Sequence, residues 1–349
     1  MQRRTFLSAC GAALAAGSRA LAEEQPGQAK RFRVIDTHVH LFDARAMDAA
    51  GVAKIDYLNR EATVEGCVEA MRLGDVDKGF LITYNAQDVA AQLRLYKIDP
   101  AAARLVYNTS YQKRAWKKHP ELFYWFCDHI DPTRESYLED LERDFDEGAA
   151  GIKMLPIFHG YFPDHPGYVP AYEMCRKRKK PIILDLSYWY LETMPPYNEL
   201  EARRNRVKRW SDYARIIEPI FKQFSDVPIS LAHAGTARRP SDYDEIFPFI
   251  AEQPNASCDI AAATLTSGVK TVDFIQQLVK AVGSHKVMYG TDWPYWTTGK
   301  DSYRKGTNRW SMITDDCPGF SDADKRSILA GNAETFVRFE LPKAAAKRT

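Results

Sequence analysis

The chain has 349 residues, 45% hydrophobic and 27% charged, an ordinary globular balance with length enough for a large core. Its net charge of +2 is confined to the start: residues 1–22 hold Arg3, Arg4 and Arg19 and no acid. Without them Lys+Arg falls from 48 to 45 against 46 acids, about −1, which sets nucleic acid aside as a partner.

Arg3-Arg4-Thr5-Phe6-Leu7 has the twin-arginine pattern, an apolar run extends from Phe6 to Ala16, and Ala20-Leu21-Ala22 is an A-x-A site. These features predict a twin-arginine export signal over 1–22, a periplasmic location and a polar linker over 23–31. Leu7-Ser8-Ala9-Cys10 also resembles a lipoprotein box, but Cys10 lies too near the start to leave an apolar segment before it. No later stretch reaches 18 apolar residues, so no membrane span is expected. Cys67, Cys127, Cys175, Cys258 and Cys317 are widely spaced with no C-x-x-C, which predicts buried free thiols, one disulfide being the alternative.

Strand and helix signals then alternate. Val34-Ile35-Asp36-Thr37-His38-Val39-His40 reads as the end of a first strand over 33–39, with His38 and His40 on one side and Asp36 behind them. Further strands are expected at 78–82, 122–127, 150–154, 181–185, 228–232, 256–260 and 286–290. Helices are expected at 63–73 (with Thr63 as its cap), 88–97, 134–147, 170–179, 211–224, 241–252, 271–282 and 321–330. Eight strands separated by helices predict parallel pairing in an α/β protein, a single-domain (β/α)8 TIM barrel over 32–340. Insertions follow strands five and eight, and a polar tail covers 341–349. A doubly wound open sheet would want a Gly-rich turn after the first strand, and none is present.

In such a barrel the loops after the strands share one mouth. Strand one ends in His38 and His40, strand four carries Lys153, and strand five ends in Asp185. Strand six runs into His233-Ala234-Gly235, and strand eight into Gly290-Thr291-Asp292-Trp293-Pro294. A buried carboxylate such as Asp185 needs a partner. A cation would serve, and so would Lys153, in which case the pair removes the need for metal.

The D-x-H-x-H start, Gly151-Ile152-Lys153, His233-Ala234-Gly235, Gly290-Thr291-Asp292-Trp293-Pro294 and Gly331-Asn332-Ala333-Glu334 resemble the amidohydrolase-related family, over roughly residues 32–338. That branch holds metal-dependent hydrolases, lactonases and nonoxidative decarboxylases. The resemblance implies His38 and His40 as metal ligands, Asp292 as ligand or proton acceptor, and His233 as proton donor or polarising group. The family usually has His at the end of strand five, where this chain has Asp185. Asp185 can ligate through oxygen, and His159 or His165 could supply the missing nitrogen. The family's Leu-His-Pro after Gly-Ile-Lys is here Met154-Leu155-Pro156.

The expected cofactor is one divalent ion, zinc ahead of manganese, although related lactonases work without metal. Such an ion would lower the pKa of water from 15.7 to about 7. With Asp292 taking a proton and His233 donating one, the reading is hydrolysis of an ester, lactone or amide carbonyl. The alternatives are nonoxidative decarboxylation of an aromatic or unsaturated acid, and a degenerate barrel that only binds. Tyr188-Trp189-Tyr190, Met194 to Tyr197, and Trp293, Tyr295, Trp296, Tyr303 and Trp310 are expected either to wall a pocket or to pack between insertions. Lys153, Tyr188, Trp189, Arg238 and Trp293 are the expected substrate contacts, with Arg238, Lys300 or Arg304 meeting an acid group. The basic run from Glu201 to Trp210 reads as a solvated helix face. The expected partner is a small molecule, and a homodimer would suit such a barrel.

Overall fold

In a computed structural model, the described residues are 32–43, 62–82, 109–188, 190–193, 199–237, 239–262, 270–294, 302–305 and 309–343. The export signal, the linker, the helix expected at 88–97, Trp189, Met194 to Tyr197, Arg238, Tyr295, Trp296 and Lys300 lie outside them. A compact unit runs over Phe32–Thr349.

Eight parallel strands form one sheet in sequential order. They are β1 (Ile35–Val39), β2 (Lys78–Ile82), β3 (Phe123–Cys127), β4 (Gly151–Met154), β5 (Ile182–Leu184), β6 (Ile229–Leu231), β7 (Ala256–Asp259) and β8 (Val287–Met288). The ends of the sheet meet. Thr37 N donates to Tyr289 O at 2.9 Å, His40 N donates to Trp293 O at 2.7 Å, and Val39 bridges Trp293 in parallel. This is the expected (β/α)8 barrel. The helices between strands include α1 (Val64–Leu73), α2 (Thr109–Lys118), α3 (Tyr137–Glu147), α4 (Val169–Arg178), α5 (Trp210–Gln223), α6 (Tyr243–Glu252) and α7 (Thr271–Val282). Thr63 caps α1, its Oγ1 accepting from Gly66 N at 3.2 Å. No described helix is long and apolar enough to cross a membrane. Cys67, Cys127, Cys175, Cys258 and Cys317 are buried free thiols.

Side-chain alternation divides the apolar residues into two cores. Leu81, Phe123, Trp125, Ile152, Ile182, Leu184, Ile229, Leu231 and Cys258 face the helix layer. Ile35, Phe80, Ile82, Phe126, Ile183 and Met288 fill the barrel interior. Its lower end is closed by Phe336 of α8 (Asn332–Val337), stacked on Phe80 and Phe126 with centroids 6.5 and 6.2 Å apart. Asn332 fastens that helix to the barrel, donating through Nδ2 to Ser284 O and Val287 O at 2.7 Å each. The same alternation that turns Ile152 outward turns Lys153 inward, and the parity that sends Cys258 outward sends Asp259 inward.

β1 departs from simple alternation. Its pairing with β2 shifts register between Asp36 and Val39, three residues of β1 standing against two of β2. The extra residue re-aims the side chains. Asp36 is therefore not stacked behind the histidines on one face. It is tied to the outer layer, where Tyr303 OH donates to its Oδ2 at 2.9 Å and Thr291 donates to Oδ1 and Oδ2 from N and Oγ1 at 3.0 and 2.5 Å. Burial pushes its carboxyl up to about 7, against the pull of these donors. The role of Asp36 is to lock β1 against β8.

Candidate active site

The segments that leave β5 to β8 carry left-handed backbone at non-glycine residues: Ser187, His233, Ala234, Thr236, Ala262 and Asp292 have φ between 46° and 62°. Such strain persists only where the surroundings over-determine it. Here it marks the rim onto which the polar residues converge.

His38 and His40 face the interior and are buried. His40 Nδ1 lies 3.1 Å from Ile82 O, so that nitrogen carries the proton and donates. His38 Nδ1 lies 3.2 Å from Asp259 Oδ2. Both Nε2 atoms turn toward one oxygen, Asp292 Oδ1, which is 3.3 Å from His40 and 3.7 Å from His38. Burial lowers both imidazoles, His38 strongly, with Lys153 next in effect on His38. They are neutral, with lone pairs available. Burial opposes ionisation of Asp292, but the positive charges of His233 and Lys153 pull its carboxyl below the usual range.

A second group faces the first. Asp185 Oδ2 is 3.4 Å from Lys153 Nζ and 3.4 Å from His233 Nε2, and Asp185 Oδ1 accepts from Ser187 N and Oγ at 2.8 and 3.0 Å. Burial disfavours the charge on Asp185, but Lys153 and then His233 hold it well below the carboxylate range. Burial likewise disfavours the His233 cation, yet Asp185, Asp292 and Asp259 raise it to about 9. His233 is thus an imidazolium, donating to Asp185 from Nε2 and to Ala261 O from Nδ1 at 2.6 Å. Its ring lies 4.4 Å from that of His38.

The structure therefore brings His38, His40, Lys153, Asp185, His233 and Asp292 into one interior cluster. His38, His40 and Asp292 offer ligand atoms within 4.8 Å of one another, as do His38, His233 and Asp259, and Asp185 belongs to neither set among the described residues. Asp185 pairs with Lys153 and His233. His159 Nδ1 faces Tyr168 OH at 2.9 Å, and His165 Nδ1 accepts from Gly167 N at 3.1 Å; neither joins a ligand set among the described residues.

The aromatic expectations divide similarly. Tyr188 is fully buried and packs on Tyr213, centroids 5.9 Å apart. Trp293 is 1% exposed and follows Asp292 directly. Tyr303 reaches Asp36, and Trp310 Nε1 donates to Gly74 O at 2.7 Å, so both anchor the insertion after β8. Arg304 pairs with Asp75 at 3.4 Å on the surface.

One site residue lay outside the sequence reading. Asp259 ends β7 with a buried carboxylate, as Asp185 ends β5, and that signal was equally present. Burial raises Asp259 to about 6, against His233 and Lys153.

The model of the amidohydrolase family matches residues 35–339. The chain belongs to the amidohydrolase family. The amidohydrolase fold also appears in solved structures of low identity. A probable 2-pyrone-4,6-dicarboxylic acid hydrolase from Acinetobacter baumannii is 13% identical over 88% of this chain and 99% of that one, TM-score 0.58. A 5-carboxyvanillate decarboxylase from Novosphingobium aromaticivorans, solved with manganese and a nitrobenzoic acid, is 17% identical over 88% and 97%, TM-score 0.56. A 4-oxalomesaconate hydratase from Rhodopseudomonas palustris is 16% identical over 88% and 96%, TM-score 0.58. No curated protein sequence matches the chain. This amidohydrolase is accordingly an enzyme, with its polar residues at the mouth where barrel enzymes of every chemistry place theirs.

Proposed function

We propose that this amidohydrolase hydrolyses a carbonyl of a small, carboxylate-bearing organic substrate with the help of one divalent ion. One observation carries the reading: the Nε2 atoms of His38 and His40 converge on Asp292 Oδ1, with the His233 imidazolium on the facing side. The donor set fits such an ion. Two neutral imidazoles and an ionised carboxylate suit zinc or manganese, and each histidine donates its other N–H to an oxygen, as metal-ligating histidines do. Bound there, the ion would supply Lewis-acid polarisation of a substrate oxygen or of water.

The residues of the chain do the rest. Asp292, ionised and beside the ligand nitrogens, accepts a proton from the attacking water. His233, charged at neutral pH, donates from Nε2 to the oxygen or leaving group that gains negative charge. Asp185 orients that imidazolium. The cluster sums to one excess negative charge: Lys153 and His233 stand against Asp185, Asp259 and Asp292. A divalent ion would make it positive, which favours an anionic substrate.

Decarboxylation is the second reading. Lys153 and His233 place two cations side by side across Asp185, an arrangement that would also seat a departing carboxylate and protonate the carbon left behind. The solved decarboxylase of similar fold gives this reading its weight. The deciding experiment incubates the metal-loaded protein with cyclic ester dicarboxylates and hydroxylated aromatic acids in 18O-water. Hydrolysis incorporates 18O into the product without gas release. Carbon dioxide release without incorporation overturns hydrolysis, and ligand-induced stabilisation with neither product assigns a binding role.

We propose further that residues 1–22 direct export by the twin-arginine route. Replacing Arg3 and Arg4 by Lys should hold the chain in the cytoplasmic fraction.

A further inference from the structure

The carboxylate of Asp259 touches both halves of the site. Its Oδ1 accepts from the backbone N–H of His233 and of Ala261, each at 3.0 Å. Its Oδ2 lies 3.2 Å from His38 Nδ1. Ala261 O in turn accepts from His233 Nδ1. The backbone held this way is strained, with φ of 54° at His233 and 50° at Ala262. An ionised carboxylate only accepts hydrogen bonds, so the proton facing it must sit on His38 Nδ1.

We infer that Asp259 is a positioning residue with two duties: it fixes His38 in the tautomer whose Nε2 lone pair faces His40 and Asp292, and it holds the strained turn that presents His233. The inference deepens the metal-dependent reading above and rests on it for the purpose of the lone pair. The arrangement acts across strands. β7 sets the orientation of His38 on β1 and the placement of His233 after β6. Orienting carboxylates of this kind are worth 10–100-fold in metal affinity in other sites.

Asp259→Asn separates this role from a merely structural one. The amide keeps the shape and keeps an oxygen for the two backbone donors. Its NH2 then faces His38 Nδ1 and donates, which drives the imidazole proton to Nε2 and closes the lone pair. The experiment records 15N imidazole shifts of metal-free protein, manganese affinity by chelator competition, and the melting midpoint. His38 in the unaltered protein should carry its proton on Nδ1. In D259N the proton should move to Nε2, and manganese affinity should fall by about 10–100-fold with the midpoint near that of the parent. Unchanged tautomer and unchanged affinity in D259N overturn the proposal. Because that variant could fail to fold, the parent protein supplies an independent test: a His38 proton on Nε2 there overturns the proposal without any variant. Parent protein that shows the Nδ1 proton and the flip in D259N, yet binds no manganese or zinc, supports the positioning role and sinks the metal reading instead.

Discussion

Lys153 Nζ lies 3.3 Å from His38 Nε2, the nitrogen that must also face any ion shared with His40 and Asp292. An ammonium has only donors, so it points a proton at that lone pair. Lys153 and a divalent ion thus compete for one nitrogen and repel each other. At an effective dielectric of 20, two unit charges about 4 Å apart interact by about 4 kcal/mol. Lys153→Met should therefore tighten zinc or manganese binding by tenfold or more, measured by chelator competition, while slowing turnover. Because Asp185 loses a buried partner, the variant should also melt earlier. Unchanged or weaker metal binding would show that Lys153 does not oppose the ion.

The histidine pair makes a blunter prediction. Replacing His38 and His40 together by Ala removes two of the three side chains proposed to hold the ion. Elemental analysis of the purified double variant should find the stoichiometric metal gone, and addition of zinc or manganese should no longer raise the melting temperature. Retention of metal would move the centre elsewhere.

His233 ties activity to pH. Its folded value is raised to about 9, so the protonated form is the donor and is present at neutral pH. Turnover per unit KM should fall as pH rises through about 9. The stability it contributes has the same sign: complete below the ordinary value of 6.5 and lost as pH climbs through about 9. His233→Gln should lose about 10²–10⁴-fold in rate and lack the alkaline limb. An alkaline limb that survives in the variant belongs to another group.

Much of this was legible in the sequence itself. The eight strands follow from short apolar runs, and His38, His40, Lys153, Asp185, His233 and Asp292 from reading what each strand ends in. Three things were not. Helix α2 is a polar run, Thr-Ser-Tyr-Gln-Lys-Arg-Ala-Trp-Lys-Lys, whose inward face of Tyr111, Gln112, Ala115 and Trp116 is too short and too mixed an apolar stripe to announce it. The register shift in β1 depends on pairing with β2, which no single strand encodes. Tyr303 and Trp310 have the composition of a pocket wall, but a phenol or indole reads the same whether its polar tip meets a ligand or an oxygen of the protein. Only packing separates the two.

Gly74 shows how tightly the insertion after β8 is seated. A Cβ there would stand 2.3 Å from Tyr303 Cβ and 3.0 Å from Ala70 O. Tyr303 cannot yield freely, since its hydroxyl holds Asp36, and Trp310 donates to the carbonyl of Gly74 itself. Gly74→Ala should destabilise the fold by about 1–3 kcal/mol, the usual cost of overpacking. Tyr303→Phe, which removes the hydroxyl and leaves Asp36 one donor short, should lose about 1–3 kcal/mol by urea titration. A Gly74→Ala protein as stable as the parent would mean that the insertion shifts at no cost.

The last prediction lies away from the site. His129, just after β3, donates through Nδ1 to Asp144 Oδ2 on α3, while Lys113 of α2 reaches Asp144 Oδ1 at 2.8 Å. The hydrogen bond to Asp144 raises His129 above 6.5, with Asp128 and Asp140 adding to it against burial. Burial opposes the charge on Asp144, but His129 and Lys113 pull it below 3.8. For a group raised on folding, the stabilisation is whole below 6.5 and fades as pH rises through the folded value. For one lowered on folding, it is whole above 3.8 and fades as pH falls. The two conditions overlap between 3.8 and 6.5, where the contact should contribute most. His129→Gln should thus cost about 1 kcal/mol at pH 5–6 and progressively less toward pH 9, read from urea titrations of both proteins across that range. A difference that stays constant with pH would mean His129 holds α3 by packing rather than by charge.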